Sequence, residues 1–453
     1  ILDLDKLISE ISSFVWGYPL LIILIGGGLY LLFISKFIPF KYFLHSIDIV
    51  RGKYDDKTSD GEISHFQALT TALSATVGMG NIAGVAVAIS IGGPGAIFWM
   101  WISGIIGMST KFFTSSLAVM YRGVDSVGNK QGGPMYFIVN GLGNRWKPLA
   151  IFFSFCGMVG ALPVFNVNQL TQAINDIVLI PNGVAITSMS NVIIGLFLII
   201  ITSIVILGGL KRISSVASKL VPFMVGVYML TVLAIIIINA DKLPYYLHLI
   251  FYDAFHADYY NGDSAFGGVL GALIILGIRR GAFSNEAGIG MAPMAHGAAK
   301  TNNPIKEGFV AMLGPAIDTL VVCTMTAMAI LVTDVWKTDA NGVSLTASAF
   351  ESSFPIFGNY ILLVCVMIFS VSSLFSYSYY GTKCLSFLVG DENKKKYNYI
   401  YIISIMVGAT TSLSMMINLI DTFFALMAIP TMIATLLLAP KVVSKLKKYE
   451  IKK

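Results

Sequence analysis

The chain has 453 residues, 56% of them hydrophobic and 12% charged, with mean hydropathy +0.78 and net charge +6. Soluble domains carry about 25% charged residues, so a water-soluble enzyme is excluded and a polytopic, all-α membrane protein is expected. The positive excess sits in short segments between apolar runs, which fits membrane orientation and not nucleic-acid binding.

A crossing needs about 20 apolar residues, and the charge-poor runs place eleven transmembrane helices. Taken in chain order, these are span 1 (15–36), span 2 (66–91), span 3 (94–121), span 4 (149–177), span 5 (191–209) and span 6 (214–239). Then follow span 7 (265–294), span 8 (307–333), span 9 (357–388), span 10 (398–417) and span 11 (419–441). The run from Phe66 to Thr110 is long enough for two crossings, with "GGPG" at Gly92–Gly95 as the turn. With the N-terminus outside, inner segments hold 24 Lys and Arg and outer segments 3. That bias predicts an N-out, C-in protein of the cell membrane. Cys156, Cys323, Cys365 and Cys384 lie in or beside apolar runs without metal or disulfide spacing, and read as small hydrophobes.

Span 2 contains "LSATVGMGNIAGVAVAI", Leu73–Ile89, with Gly78, Gly80 and Gly84 beside Ser74, Thr76 and Asn81. Such a run weakens a helix where lipid offers the backbone no partner. Span 7 echoes it with "GAFSNEAGIGMA", Gly281–Ala292, and both carry Asn-x-Ala-Gly, at 81–84 and 285–288. The two spans lie five apart and run in opposite directions. This predicts a 5+5 inverted repeat with spans 2 and 7 broken, span 1 being an addition. The domain plan is then 1–65 for the first helix and its connector, 66–240 and 241–441 for the repeats, and 442–453 for a basic tail. Small residues that only let helices pack closely are the plainer alternative. Paired interruptions are better explained as a transporter's midplane site.

The residues "TALSATVGMGNIAGVA", "GGPGAIFWMW", "QGGPMYF" (Gln131–Phe137) and "RRGAFSNEAGIGMAPMAHGAAKT" (Arg279–Thr301) resemble the alanine/glycine:sodium symporter family. The resemblance covers nearly the whole chain. It implies a leucine-transporter-type fold with one extra N-terminal helix, and sodium-driven import of alanine, glycine or similar amino acids. The expected partners are therefore a small neutral amino acid, sodium as transported ion and membrane lipid, with a monomer as the working unit.

On this reading Thr76, Gly78, Gly80 and Asn81 of span 2 face Gly281, Phe283, Ser284 and Asn285 of span 7 around the substrate. Phe165 and Gln169, four apart on span 4, share a face toward it, although Gln169 serves equally well as a bridge between helices. Span 9 reads "FSVSSLFSYSYYGT", dense in serine for a membrane helix. The resemblance makes Ser372 and Ser373 sodium ligands, joined by the carbonyls of Ser74 and Val77. Ionisable residues inside spans are functional suspects by default: Lys111, Arg279, Arg280, Glu286 and Asp318. Lys219, near the start of span 6, offers a proton-coupled alternative to sodium, or simply snorkels to the inner surface.

An embedded enzyme is disfavoured, since no HExxH or GxSxG occurs and the five histidines are scattered near predicted membrane edges. No Walker-type ATP motif supports a primary pump.

Overall fold

The computed structural model describes residues 7, 10–11, 14–55, 59–126, 128, 130–262, 268–411 and 413–449. They are almost entirely helical, apart from a small antiparallel hairpin, β1 (Gly123–Val124) with β2 (Lys130–Gln131).

The first helix, α1 (Pro19–Ile34), crosses the long helix α4 (Gly95–Met120) at Gly28, where a Cβ would lie 2.3 Å from Ile106 Cγ2. Between them run α2 (His65–Thr76) and α3 (Gly80–Gly92), bent by 56° at the intervening residues. A capping box starts α2: Ser64 Oγ accepts from the Gln67 amide, and Gln67 Oε1 accepts from the Ser64 amide. Span 4 is divided into α5 (Lys147–Gly160) and α6 (Val164–Ile174) at Pro163. The first half ends with α7 (Ser188–Ile206) and α8 (Gly209–Ile238). Exposed apolar side chains cover these two helices, including Ile193, Leu196, Phe223, Leu230 and Ile237, as lipid contact requires.

The second half opens with the loop helix α9 (Leu243–His256) and α10 (Gly268–Asn285), then a short α11 (Ala292–His296). After these come α12 (Pro304–Val332), α13 (Gly342–Ser353), α14 (Gly358–Val389), α15 (Lys394–Thr410) and α16 (Leu413–Lys447). The helix α4 packs along both α10 and α12, while α14 packs against α2, α8 and α5.

Among the described residues, seven helices are long and apolar enough to cross a membrane, or eight if the bent pair α2–α3 is one crossing. The other three expected spans fall on shorter or more polar helices. Span 1 is the short α1, span 7 is α10 with Arg279 and Arg280 inside it, and span 10 is α15, which opens on three lysines.

Both expected interruptions are present, but the second lies further along than the sequence suggested. The helix α10 continues through Asn285, and the left-handed residues are Glu286 (φ 54), Gly288 (φ 89) and Gly290 (φ 106). Gly281 is therefore helical. It serves close packing, since a Cβ there would lie 2.8 Å from Ser103 Cβ on α4.

At the end formed by the α8–α9 and α12–α13 loops, Asp334 accepts from Lys242 Nζ at 2.6 Å, from Lys337 Nζ at 2.7 Å and from the Tyr246 hydroxyl. Partial burial opposes its ionisation. The bonds from Lys242, Lys337 and Tyr246 outweigh that and hold the carboxyl well below the usual carboxylate range. A depressed carboxyl stabilises the fold above its unfolded pKa, about 3.9, and that contribution fades as pH falls below it. Asp334→Asn, which keeps the left-handed backbone accessible, should thus lower Tm most near neutral pH. Thermal melts in detergent should show the gap from wild type closing below about pH 4; an undiminished gap there would contradict the assignment.

Candidate functional site

The break between α2 and α3 is where the site forms. Thr76 ends α2, and Val77 is extended at φ −75, ψ 94. Asn81 answers the break locally, its Oδ1 accepting from the Gly78 amide at 2.8 Å. Its Nδ2 donates to Asp318 Oδ1 at 2.7 Å and reaches Ser284 Oγ at 3.2 Å. Asp318 also accepts from Ser284 Oγ and from Thr319 Oγ1, each at 2.8 Å. Asp318 follows Pro315, whose missing amide leads into a π-helical stretch, Ala316–Cys323, of the kind often found at functional positions. Asn285 answers the second break in the same manner, its Oδ1 accepting from the Ala287 amide at 3.0 Å.

Two constellations flank the first break. On the α14 side, Ser372 Oγ lies 3.4 Å from the Ser74 carbonyl and Ser373 Oγ 3.4 Å from the Ala75 carbonyl. Ser376 Oγ donates to the Thr71 carbonyl at 2.9 Å and also contacts Ser74 Oγ. Positions 372, 373 and 376 share one helical face; the Ser372 and Ser373 hydroxyls also bond back to their own helix at the Phe369 carbonyl, at 2.9 and 3.1 Å, as Ser378 does at Phe375. Ser373 thus meets Ala75, two residues before the expected Val77. Gly78 permits the approach, because a Cβ there would lie 2.9 Å from Ser373 Oγ. The cluster is buried and made of neutral hydroxyl and carbonyl oxygens, which suit a hard cation of low charge. Among the described residues, no group of three or more His, Cys, Asp or Glu is arranged to hold a metal.

On the other side of the break is a cavity of about 50 Å³. One water needs roughly 10–15 Å³ by this measure, so the space suits a few waters or a very small organic molecule. Thr76, Gly78, Gly80, Phe165, Phe283 and Ser284 line it, all expected from the sequence, together with Glu286, Tyr377, Asp421 and Phe424, which were not assigned to it. Phe283 anchors the aromatic wall, 6.3 Å from Phe165 and 6.1 Å from Phe424 between ring centroids. Because Gly78, Met79 and Gly80 line the cavity, the N-terminus of α3 opens onto it, a favourable place for an anion.

Four expected residues stand apart from this cavity, the first being Gly281, which packs on Ser103. Gln169 lies one turn beyond Phe165 and lines a separate cavity with Gln172, Asp176 and Asn341. Asn285 is turned toward α12, its Nδ2 donating to Thr319 Oγ1 at 3.2 Å. Asn81 sits behind the lining as a support for the break. Lys219 is exposed on α8.

The histidines produce a further difference. His65 and His296, distant in sequence, meet on buried Glu307, with His296 Nδ1 2.6 Å from Oε1 and His65 Nδ1 against Oε2. Beside them Arg122 donates to the carbonyls of Gly297 at 2.7 Å, Thr301 at 2.8 Å and Ala299. Long-range pairings of this kind leave no local sequence signal.

Removing the Asn81 carboxamide strands the Gly78 amide and unbalances Asp318 in a buried setting. Asn81→Ala should cost about 1–3 kcal/mol, read as a clear drop in detergent Tm. Unchanged stability would show that the break does not rely on this side chain.

The profile of the Sodium:alanine symporter family matches residues 2–453. The sodium/alanine symporter AgcS of Methanococcus maripaludis is 40% identical, covering 100% of this chain and 99% of that protein. The probable sodium/glutamine symporter GlnT of Bacillus subtilis is 34% identical over 98% of this chain and 91% of its own length. Among solved structures, MhsT in complex with L-phenylalanine aligns with TM-score 0.58 at 11% identity, covering 85% of this chain and 98% of that one. A Na+-coupled sialic acid symporter aligns with TM-score 0.52 at 13% identity, covering 94% and 98%. These two likenesses bear on fold alone. From motifs, break geometry and similarity together, the chain belongs to the sodium:alanine symporter family, whose members are multi-pass membrane transporters coupling amino acid movement to sodium, not enzymes.

Proposed function

We propose that this protein imports a small neutral amino acid such as alanine or glycine together with sodium, by alternating access across the cell membrane. The observation that carries the proposal is the meeting, at one interrupted helix, of a buried hydroxyl–carbonyl cluster and a cavity of about 50 Å³. The backbone at Gly80 receives the substrate carboxylate at the N-terminus of α3, beside Gly78, whose own amide Asn81 holds, while Phe165 and Phe283 bound the side chain. Ser372 and Ser373, with α2 carbonyls at Ser74 and toward Val77, hold sodium. Gln169, on the separate cavity further along α6, meets the substrate on its way in from outside. Relatives named for alanine and for glutamine support amino acids as the class.

The proposed architecture is eleven crossings, N-out and C-in, with spans 2–6 and 7–11 related by an inverted repeat and a monomer as the working unit. The two Asn-x-Ala-Gly breaks, each with an asparagine capping a local amide, support this. The proton-coupled alternative rests on Lys219. That residue is exposed, whereas Ser372 and Ser373 are wholly buried against α2, which favours sodium.

Ser372→Ala and Ser373→Ala should each weaken sodium activation of alanine uptake in proteoliposomes with little effect on folding. A loss of about 1.4 kcal/mol of coordination raises the sodium requirement roughly tenfold. Because the two ligands are linked, apparent alanine affinity at fixed sodium should fall as well. Uptake driven equally by a proton gradient without sodium, and abolished by Lys219→Ala but not by the serine variants, would refute this reading.

A further inference from the structure

One buried group in the cavity lacks a complete set of partners. Glu286 is 3% exposed, lines the cavity, and holds a left-handed backbone (φ 54) at the start of the second break. The Tyr377 hydroxyl donates to its Oε1 at 2.5 Å, while its Oε2 has no hydrogen-bond partner among the described residues. The Tyr380 hydroxyl is likewise buried without a partner. A buried carboxylate oxygen left open is expensive unless a ligand completes it.

The charges around the cavity are divided in a way that matches a zwitterion. Glu286 and Asp318 interact with one buried cation, Lys111, which lies beside Gly314 of α12. This region holds two acidic side chains and one basic one. The other region holds Arg279, Arg280 and the cavity residue Asp421, two guanidiniums and one carboxylate. Arg279 rests over the Trp16 ring at 5.5 Å, and Trp16 Nε1 donates to the Asp421 carbonyl at 2.9 Å. One region is therefore richer in acidic groups and the other in guanidinium donors. An amino acid between them gains by directing its ammonium toward the first.

We propose that Glu286 is the ammonium receptor of the transported amino acid, its open Oε2 accepting from the substrate's α-ammonium while Tyr377 fixes the other oxygen. This rests on the transport reading above and adds the group that recognises the cationic end. It makes the protein selective for amino acids over hydroxy acids of equal size, which lack the cation.

The test is sodium-dependent equilibrium binding of alanine to purified protein, with L-lactate as competitor. Wild type should prefer alanine to lactate by at least about a hundredfold. Glu286→Gln should weaken alanine binding at least about thirtyfold, the loss expected when one member of a buried charge pair is removed. Its lactate affinity should stay level or improve, and thermal stabilisation by sodium alone should persist because the serine cluster is untouched. A folded Glu286→Gln protein that binds alanine within about threefold of wild type overturns the proposal. Loss of the sodium response without amino acid also overturns it, since Glu286 would then serve the cation. Wild type binding lactate as tightly as alanine overturns it without any variant, so a folding failure does not shield the idea. Wild type with no sodium-dependent amino acid binding would bring down the transport reading as well, whereas the other failures leave that reading standing.

Discussion

Inside a membrane, any backbone group released from a helix must be answered by protein, because lipid offers it nothing. The interrupted pair α2–α3 lives under that constraint, and its neighbours are arranged to meet it. Asn81 covers the Gly78 amide, and the hydroxyls of α14 approach carbonyls at residues 71, 74 and 75. Asp318 in turn holds Asn81 from α12. The π-helical stretch after Pro315, the serine face of α14 and the small residues at the break all follow from one need. A gap in a helix is being lined.

The same lining places two binding environments back to back. Gly78 lies against Ser373 on one side and borders the cavity on the other. A shift of the few residues from Thr76 to Gly80 is therefore felt in both places at once. Linkage between two ligands requires that each favour the same arrangement of a shared element, and this segment is short enough to have few arrangements. The aromatic wall of Phe165, Phe283 and Phe424 limits the free space, so size discrimination and linkage arise from the same small volume.

Much of this was legible in the amino-acid sequence because it depended on local composition. Apolar runs marked the helices, the glycines of Leu73–Ile89 marked the first break, and serine density marked span 9 as polar, within which the family resemblance singled out Ser372 and Ser373. The second break was placed a few residues early. Gly281 looked like a breaker yet serves tight packing against Ser103, while Glu286 adopted the left-handed backbone that glycine usually takes. Gln169 was expected beside Phe165 by helical periodicity, but the cavity ends before the next turn begins. Tyr377, Asp421 and the pairing of Asn81 with Asp318 arise from contacts between residues up to hundreds of positions apart, which no local pattern encodes.

Arg122 and the His65–Glu307–His296 group join the start of α2, the end of α4 and the segment after α11 through bonds to carbonyls and a carboxylate. In the proposed orientation this is the cytoplasmic mouth, and its seal is polar. Parting it strands a guanidinium, a carboxylate and several carbonyls unless water replaces each bond, because a buried polar group left unanswered is expensive. Water must therefore enter this end of the molecule together with, or ahead of, the departure of cargo.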